Sequence, residues 1–264
     1  MSRLLFLLVC VLNVTFATAQ MDDKFYYPSK ELKSIEWTYY KEIEYGVESD
    51  TIYALILKPY KKPTTTIIYC HGAGGNVTHY IPLTKVLVEN GFQVIMPSFR
   101  GYGKSTGSPT HVNIASDGQM LFDSLTKMDG VKETQIVIYG ASMGSQIATH
   151  LAKNNQDKIE GLILEGALSS FADIAAFYAP EYKYFLENNF ATPYSAKTDI
   201  EEIDRIPKLI IHSEEDKDVP FIQGRTLFEI APEPKEFLVF EGNHLEAIQV
   251  ETDKVIERIM KMIN

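Results

Sequence analysis

Apolar residues occur along this chain in short runs that alternate with stretches of helical spacing. Residues 34–45 and 51–58 alternate polar with aromatic or β-branched side chains, which predicts two strands of an antiparallel hairpin joined near Gly46. After the hairpin the apolar runs become continuous, at residues 65–70, 92–97, 135–139, 161–165, 208–212 and 236–240. Between them lie segments with apolar residues three and four apart, at 80–90, 113–127, 143–153, 222–230 and 246–262. Continuous apolar strands separated by helices predict an α/β fold with a mainly parallel, doubly wound sheet covered on both faces.

One interval breaks the rhythm. Residues 168–205 are far longer than a strand connection needs and carry Phe171, Phe177, Tyr178, Tyr182, Tyr184, Phe185, Phe190 and Tyr194. A small helical cap over a site is the expectation; an excursion packed on the sheet edge is the alternative, because aromatic side chains mostly serve packing.

Composition narrows the class. With 264 residues, 45% of them apolar, the chain can bury a sizeable single core. The formal charge of -10 repels phosphate backbones and anionic membrane surfaces, so nucleic acid is not expected as a partner. Arg3, the apolar run at 4–12 and Ala17-Thr18-Ala19 have the layout of a secretory signal peptide spanning residues 1–19. The expectation is therefore an exported chain, periplasmic or secreted, with no stable membrane insertion once the signal is removed. Residues 20–264 then form one domain in which Cys70 is the remaining cysteine, so no internal disulfide is expected. Ligand clusters with metal-binding spacing and nucleotide-binding glycine motifs are absent from the sequence, and neither a metal nor a cofactor is expected.

The chemistry concentrates at three strand ends. The run 136–139 leads into Gly140-Ala141-Ser142-Met143-Gly144 and then directly into helical spacing, the context that a strained strand-to-helix elbow requires. Small residues on either side let the turn close, and the helix N-terminus favours negative charge developing beside Ser142. A serine hydroxyl needs a base, and the base needs an orienting acid. Strand 208–212 is followed by Glu214, Glu215, Asp216 and Asp218, and strand 236–240 by Gly242-Asn243-His244. The chain order serine, acid, histidine points to His244 as base, with the acid open among those four carboxylates. His71-Gly72-Ala73-Gly74-Gly75-Asn76 follows another strand. Its glycines allow close approach to a substrate oxygen, so Ala73, with Gly74 second, is the expected oxyanion donor alongside the amide of Met143. Cys70 reads as a core thiol. Arg100 is expected to pair with an acid such as Asp117 in a structural role, and His79, His111 and His150 are read as surface or packing residues.

Four blocks together make the chain resemble alpha/beta-hydrolases of the serine aminopeptidase and monoacylglycerol lipase-like group. They are 71–76, Phe99-Arg100-Gly101-Tyr102-Gly103-Lys104-Ser105, the elbow at 140–144, and Ile211-His212 through Asp216 to Val219-Pro220. The resemblance implies that the acid is Asp216, although Ser213 stands where the group usually has glycine. It also implies hydrolysis through an acyl-enzyme, most often of carboxylic esters. Two other readings share these residues: an aminopeptidase or amidase on the same triad, and a catalytically silent fold used for binding.

Overall fold

The computed structural model describes residues 21–190 and 192–264. The expected signal peptide at 1–19 lies outside the described residues.

Eight strands form one sheet: β1 (Tyr40–Val47), β2 (Asp50–Leu57), β3 (Thr65–Cys70), β4 (Gln93–Pro97), β5 (Gln135–Ala141), β6 (Gly161–Glu165), β7 (Lys208–Ser213) and β8 (Lys235–Phe240). Their spatial order is β8-β7-β6-β5-β3-β4-β2-β1. Strands β3 to β8 run parallel, and the hairpin joins antiparallel through β2 against β4. The central strands have no polar face because both faces are covered. In β5, Ile136 and Ile138 point into one apolar cluster while Val137, Tyr139 and Ala141 point into the other.

Helices α1 (Ile81–Glu89) and α9 (Thr252–Ile263) cover one face through Leu87, Val88, Val255 and Ile259. Helices α2 (His111–Leu125), α3 (Gly144–Asn154) and α7 (Phe221–Ile230) cover the other through Leu121, Phe122, Ile147, Leu151 and Leu227. The start of α2 is set by a capping box: the Thr110 hydroxyl accepts from the Asn113 amide, and the Asn113 side chain accepts from the Thr110 amide.

Three boundaries differ from the sequence pattern. The hairpin turns at Glu48, which takes a left-handed φ of 55°, while Gly46 lies inside β1 and pairs with Thr51. The last helical stretch is two pieces, because Glu251 leaves the helical region (φ -125°, ψ 37°) between α8 (Ala247–Val250) and α9. Residues 34–39, expected to extend the first strand, are not part of the ladder. There Trp37 is buried and its Nε1–H donates to the Lys58 carbonyl at 2.8 Å.

The interval 168–205 folds as α4 (Phe171–Tyr178), α5 (Lys183–Asn189) and α6 (Ala196–Asp199), with short 3-10 turns between and after them. Its aromatic residues divide in two. Phe171 and Tyr194 are buried in the core, whereas Phe177, Tyr178, Tyr182, Tyr184 and Phe185 are all more than half exposed. Among the described residues, no helix is long and apolar enough to cross a membrane.

Candidate active site

The loops that matter leave the sheet at one edge. Register pairs Cys70 with Gly140, Ala141 with Glu165, and Ser213 with Phe240, so the carboxyl ends of β3, β5, β6, β7 and β8 lie level. In parallel sheets this edge is where ligands bind.

Ser142 occupies the step between β5 and α3 with φ of 53°, a left-handed conformation that costs a non-glycine residue about 1–2 kcal/mol. The fold holds it there from both sides. The Ser142 amide donates to the Glu165 carbonyl at 2.9 Å, and its carbonyl accepts from the Ser145 amide at 2.9 Å. The flanking glycines are a packing requirement. A Cβ on Gly144 would collide with the Cys70 carbonyl, and one on Gly140 would stand 2.6 Å from Ala148 Cβ.

His244 donates from Nδ1 to Asp216 Oδ2 at 2.6 Å, with the Asp216 side chain 1% exposed and that of His244 14% exposed. The other carboxylate oxygen of Asp216 accepts from the amides of Asp218 (2.9 Å) and Val219 (2.8 Å). Burial by itself would raise the Asp216 carboxyl. The bond to His244 and its charge, with help from the Val219 amide and His212, outweigh burial and hold it below the usual carboxylate range. Of the four candidate acids on this loop, Asp216 is the one bonded to His244, because the β7 turn aims it inward while Glu214, Glu215 and Asp218 are exposed.

Ser213 and His212 explain how that turn is held. The Ser213 hydroxyl donates to the Gly242 carbonyl at 2.6 Å and accepts from the Glu215 amide at 3.0 Å, which ties the acid loop to the histidine loop. The departure from glycine at this position therefore adds a strut between the two loops. His212, fully buried, donates from Nε2 to the Val219 carbonyl at 2.9 Å and lies 3.5 Å from Asp216 Oδ2. Burial lowers its pKa and keeps it neutral. Gly224 is needed opposite, since a Cβ there would run into the His212 ring.

The glycine loop after β3 is fixed through its carbonyls. Ala73 O accepts from the Tyr102 hydroxyl at 2.6 Å and from the Tyr27 amide at 3.0 Å. With its carbonyl held outward, the Ala73 peptide is oriented, and among the described residues no backbone carbonyl takes the amide of Ala73 or of Met143. His71, buried with its ring centred 4.3 Å from that of Phe99 and tilted against it, donates from Nδ1 to the Gly72 carbonyl at 2.8 Å; burial lowers its pKa to about 4.

Ala73, Ser142, Met143 and His244 all line one cleft of about 1070 Å³. Its outer wall is apolar and comes from the cap, with Ile174, Tyr178, Phe185 and Phe190, and from the N-terminal segment, with Met21, Phe25 and Tyr27. The N-terminal contribution was not expected. Phe25 packs 4.9 Å from Phe171 and 5.8 Å from Phe190, and Tyr26 bonds His111 Nδ1 at 2.8 Å, so this strap fastens the cap to the body.

Asp216, Asp218 and His244 each bring a ligand-type atom within 4.8 Å of the others. Asp216 and His244 already bond each other through Oδ2 and Nδ1 at 2.6 Å, with the Asp218 carboxylate as their neighbour. Away from the cleft, Arg100 grips Asp117 with two bonds (2.7 and 2.9 Å) and also reaches Asp50 at 2.9 Å, the structural pairing expected. Cys70 is buried, and burial pushes its thiol up to about 12, so it is inert.

Residues 65–192 match the profile of the alpha/beta hydrolase fold family. The chain is 29% identical over 213 residues to the uncharacterized protein YfhR of Escherichia coli K12, covering 78% of this chain and 74% of that one. It is 34% identical over 180 residues to protein bem46 of Schizosaccharomyces pombe, covering 67% and 59%. Among solved structures it superimposes on the Pyrococcus furiosus esterase Pf2001 with a TM-score of 0.69 at 20% identity, over 90% of this chain and 97% of that one.

Proposed function

From the match of residues 65–192 to the alpha/beta hydrolase fold family and the geometry of the cleft, we propose that the chain is an alpha/beta-hydrolase and a serine esterase acting on carboxylic esters with an apolar acyl group. The carrying observation is the 2.6 Å bond from His244 to the buried Asp216, with His244 and the strained Ser142 on the wall of one apolar cleft. In this reading Ser142 Oγ attacks the ester carbonyl while His244 Nε2 takes its proton. Asp216 keeps the imidazole in the tautomer with Nδ1–H and faces the charge it acquires. The amides of Ala73 and Met143 receive the oxyanion, a donor of this kind being worth about 2.7–4 kcal/mol in the transition state. The alcohol leaves with the proton from Nε2, and water repeats the sequence on the acyl-enzyme.

The cleft supports the substrate side. It is at the upper end of ordinary ligand sites, and apart from the reacting groups its charged lining is Lys24 and Asp218. Nitrophenyl esters of increasing acyl length test this directly. Rates should rise with chain length and vanish in Ser142→Ala; activity that survives that substitution refutes the serine mechanism. An amidase or aminopeptidase is the second reading, favoured by the Asp218 carboxylate beside His244, which could hold a substrate amine. Aminoacyl anilides cleaved faster than the esters would establish it. We also propose that the chain is exported with residues 1–19 removed; an exported product whose sequence starts at Gln20 supports this, and one retaining Met1 contradicts it.

A further inference from the structure

A buried carboxyl group lies beside the proposed reacting residues and takes no direct part in the steps assigned to them. Glu165 ends β6 with its side chain 1% exposed. Its Oε2 accepts from the Tyr139 hydroxyl and its Oε1 from the Ala247 amide at 3.0 Å. Each oxygen thus meets a donor, the pattern of a carboxylate. Ala247 opens α8 three residues after His244, so this carboxylate holds the turn that presents the imidazole. The next residue, Gly166, is the surface on which the ring rests: a Cβ there would lie 2.6 Å from His244 Cε1 and 2.8 Å from Nδ1. The Glu165 carbonyl meanwhile holds the Ser142 amide. One residue therefore braces nucleophile and base together.

We propose that Glu165 is a positioning residue of the site, whose buried carboxylate fixes the His244 turn and supports the positive charge the imidazole gains on taking the serine proton. This rests on the assignment of Ser142, His244 and Asp216 as the reacting set. The charged and titratable groups around His244 are Asp216 and Asp218 on the acid loop, His212 behind Asp216, and Glu165, which feels the His244 charge and holds the Ala247 amide; Glu246 on its own loop is engaged by Asn243. Glu165 in turn faces Tyr139 and Tyr69, whose hydroxyls burial and the nearby carboxyl push well above their ordinary values, so neither competes with it as an anion. Burial, with the Asp216 charge, raises the Glu165 carboxyl above its ordinary value, outweighing the Tyr139 and Ala247 donors and the His244 charge that favour its ionised form.

The test is the pH dependence of Ser142 labelling by a fluorophosphonate in the wild-type chain, Glu165→Gln and Glu165→Asp. Glutamine keeps an acceptor for Ala247 and removes the charge. With less negative charge behind the imidazole, the acidic limb should move to lower pH by about half a unit, with the plateau rate about 3–10-fold lower. Glu165→Asp keeps the charge and withdraws it from α8, so it should shift the limb less while losing a similar factor at the plateau. A Gln variant that folds and keeps the wild-type midpoint overturns the proposal. If the Gln variant does not fold, wild-type behaviour of the Asp variant overturns it. Absence of labelling in the wild-type chain would instead refute the serine reading itself.

Discussion

Ser213→Ala removes a single oxygen and probes the strut between the two loops that carry acid and base. The hydroxyl makes two bonds, donating to Gly242 O at 2.6 Å and accepting from Glu215 N at 3.0 Å. Each bond contributes about 1 kcal/mol net, and a partner left buried without one costs about 1–3 kcal/mol. Glu215 is exposed, so water can replace its lost acceptor; Gly242 is half-buried and is rehydrated less completely. The expected loss of stability is about 1–2 kcal/mol, or roughly 2–8 °C in Tm for a chain of this size. Because the strut joins the Asp216 loop to the His244 loop, part of the cost should appear in catalysis, as a fall of about tenfold in kcat with KM little changed, tenfold being about 1.4 kcal/mol. Thermal unfolding and ester hydrolysis on the same preparation measure both. A variant that loses stability but keeps full kcat would refute the inference that this bond aligns the acid with the base.

Further outcomes follow from other buried groups. Arg100→Ala leaves Asp117 buried without its bidentate partner and should cost about 3–5 kcal/mol in urea unfolding, with Arg100→Lys recovering little of it. Tyr102→Phe frees the Ala73 carbonyl from one of its two donors and should lower kcat a few-fold, to about a tenth at most, without unfolding the chain. Burial lowers both His71 and His111 to about 4, so the unfolded chain binds protons that the folded chain refuses. Their stabilising contribution is complete above the ordinary histidine value and is lost as pH falls from about 6.5 toward 4, up to about 3 kcal/mol each. Urea midpoints across that range should drop accordingly, and flat midpoints would contradict the assignment of both rings as neutral.

Much of this architecture was legible in the residues, for identifiable reasons. Parallel strands buried on both faces leave continuous apolar runs, and the elbow leaves glycines at 140 and 144 because a Cβ has no room there. The pairing of His244 with one acid out of four was not legible from the loop composition. It depends on the turn geometry after β7, held by Ser213 and by His212 against Val219, bonds that no local pattern announces. Glu165 looked like a strand end because its partners, Tyr139 and Ala247, are 26 and 82 residues away in sequence. The strap at Phe25 and Tyr26 was missed for the same reason, since its contacts with Phe171, Phe190 and His111 are entirely tertiary.

A fluorophosphonate adduct mapped to its peptide reports whether Ser142 is a nucleophile activated by His244. The expected outcome is one adduct per chain, on the peptide containing Ser142, lost in Ser142→Ala and slowed by about a thousandfold or more in His244→Ala. No adduct, an adduct on another residue, or an unchanged rate in His244→Ala would contradict it.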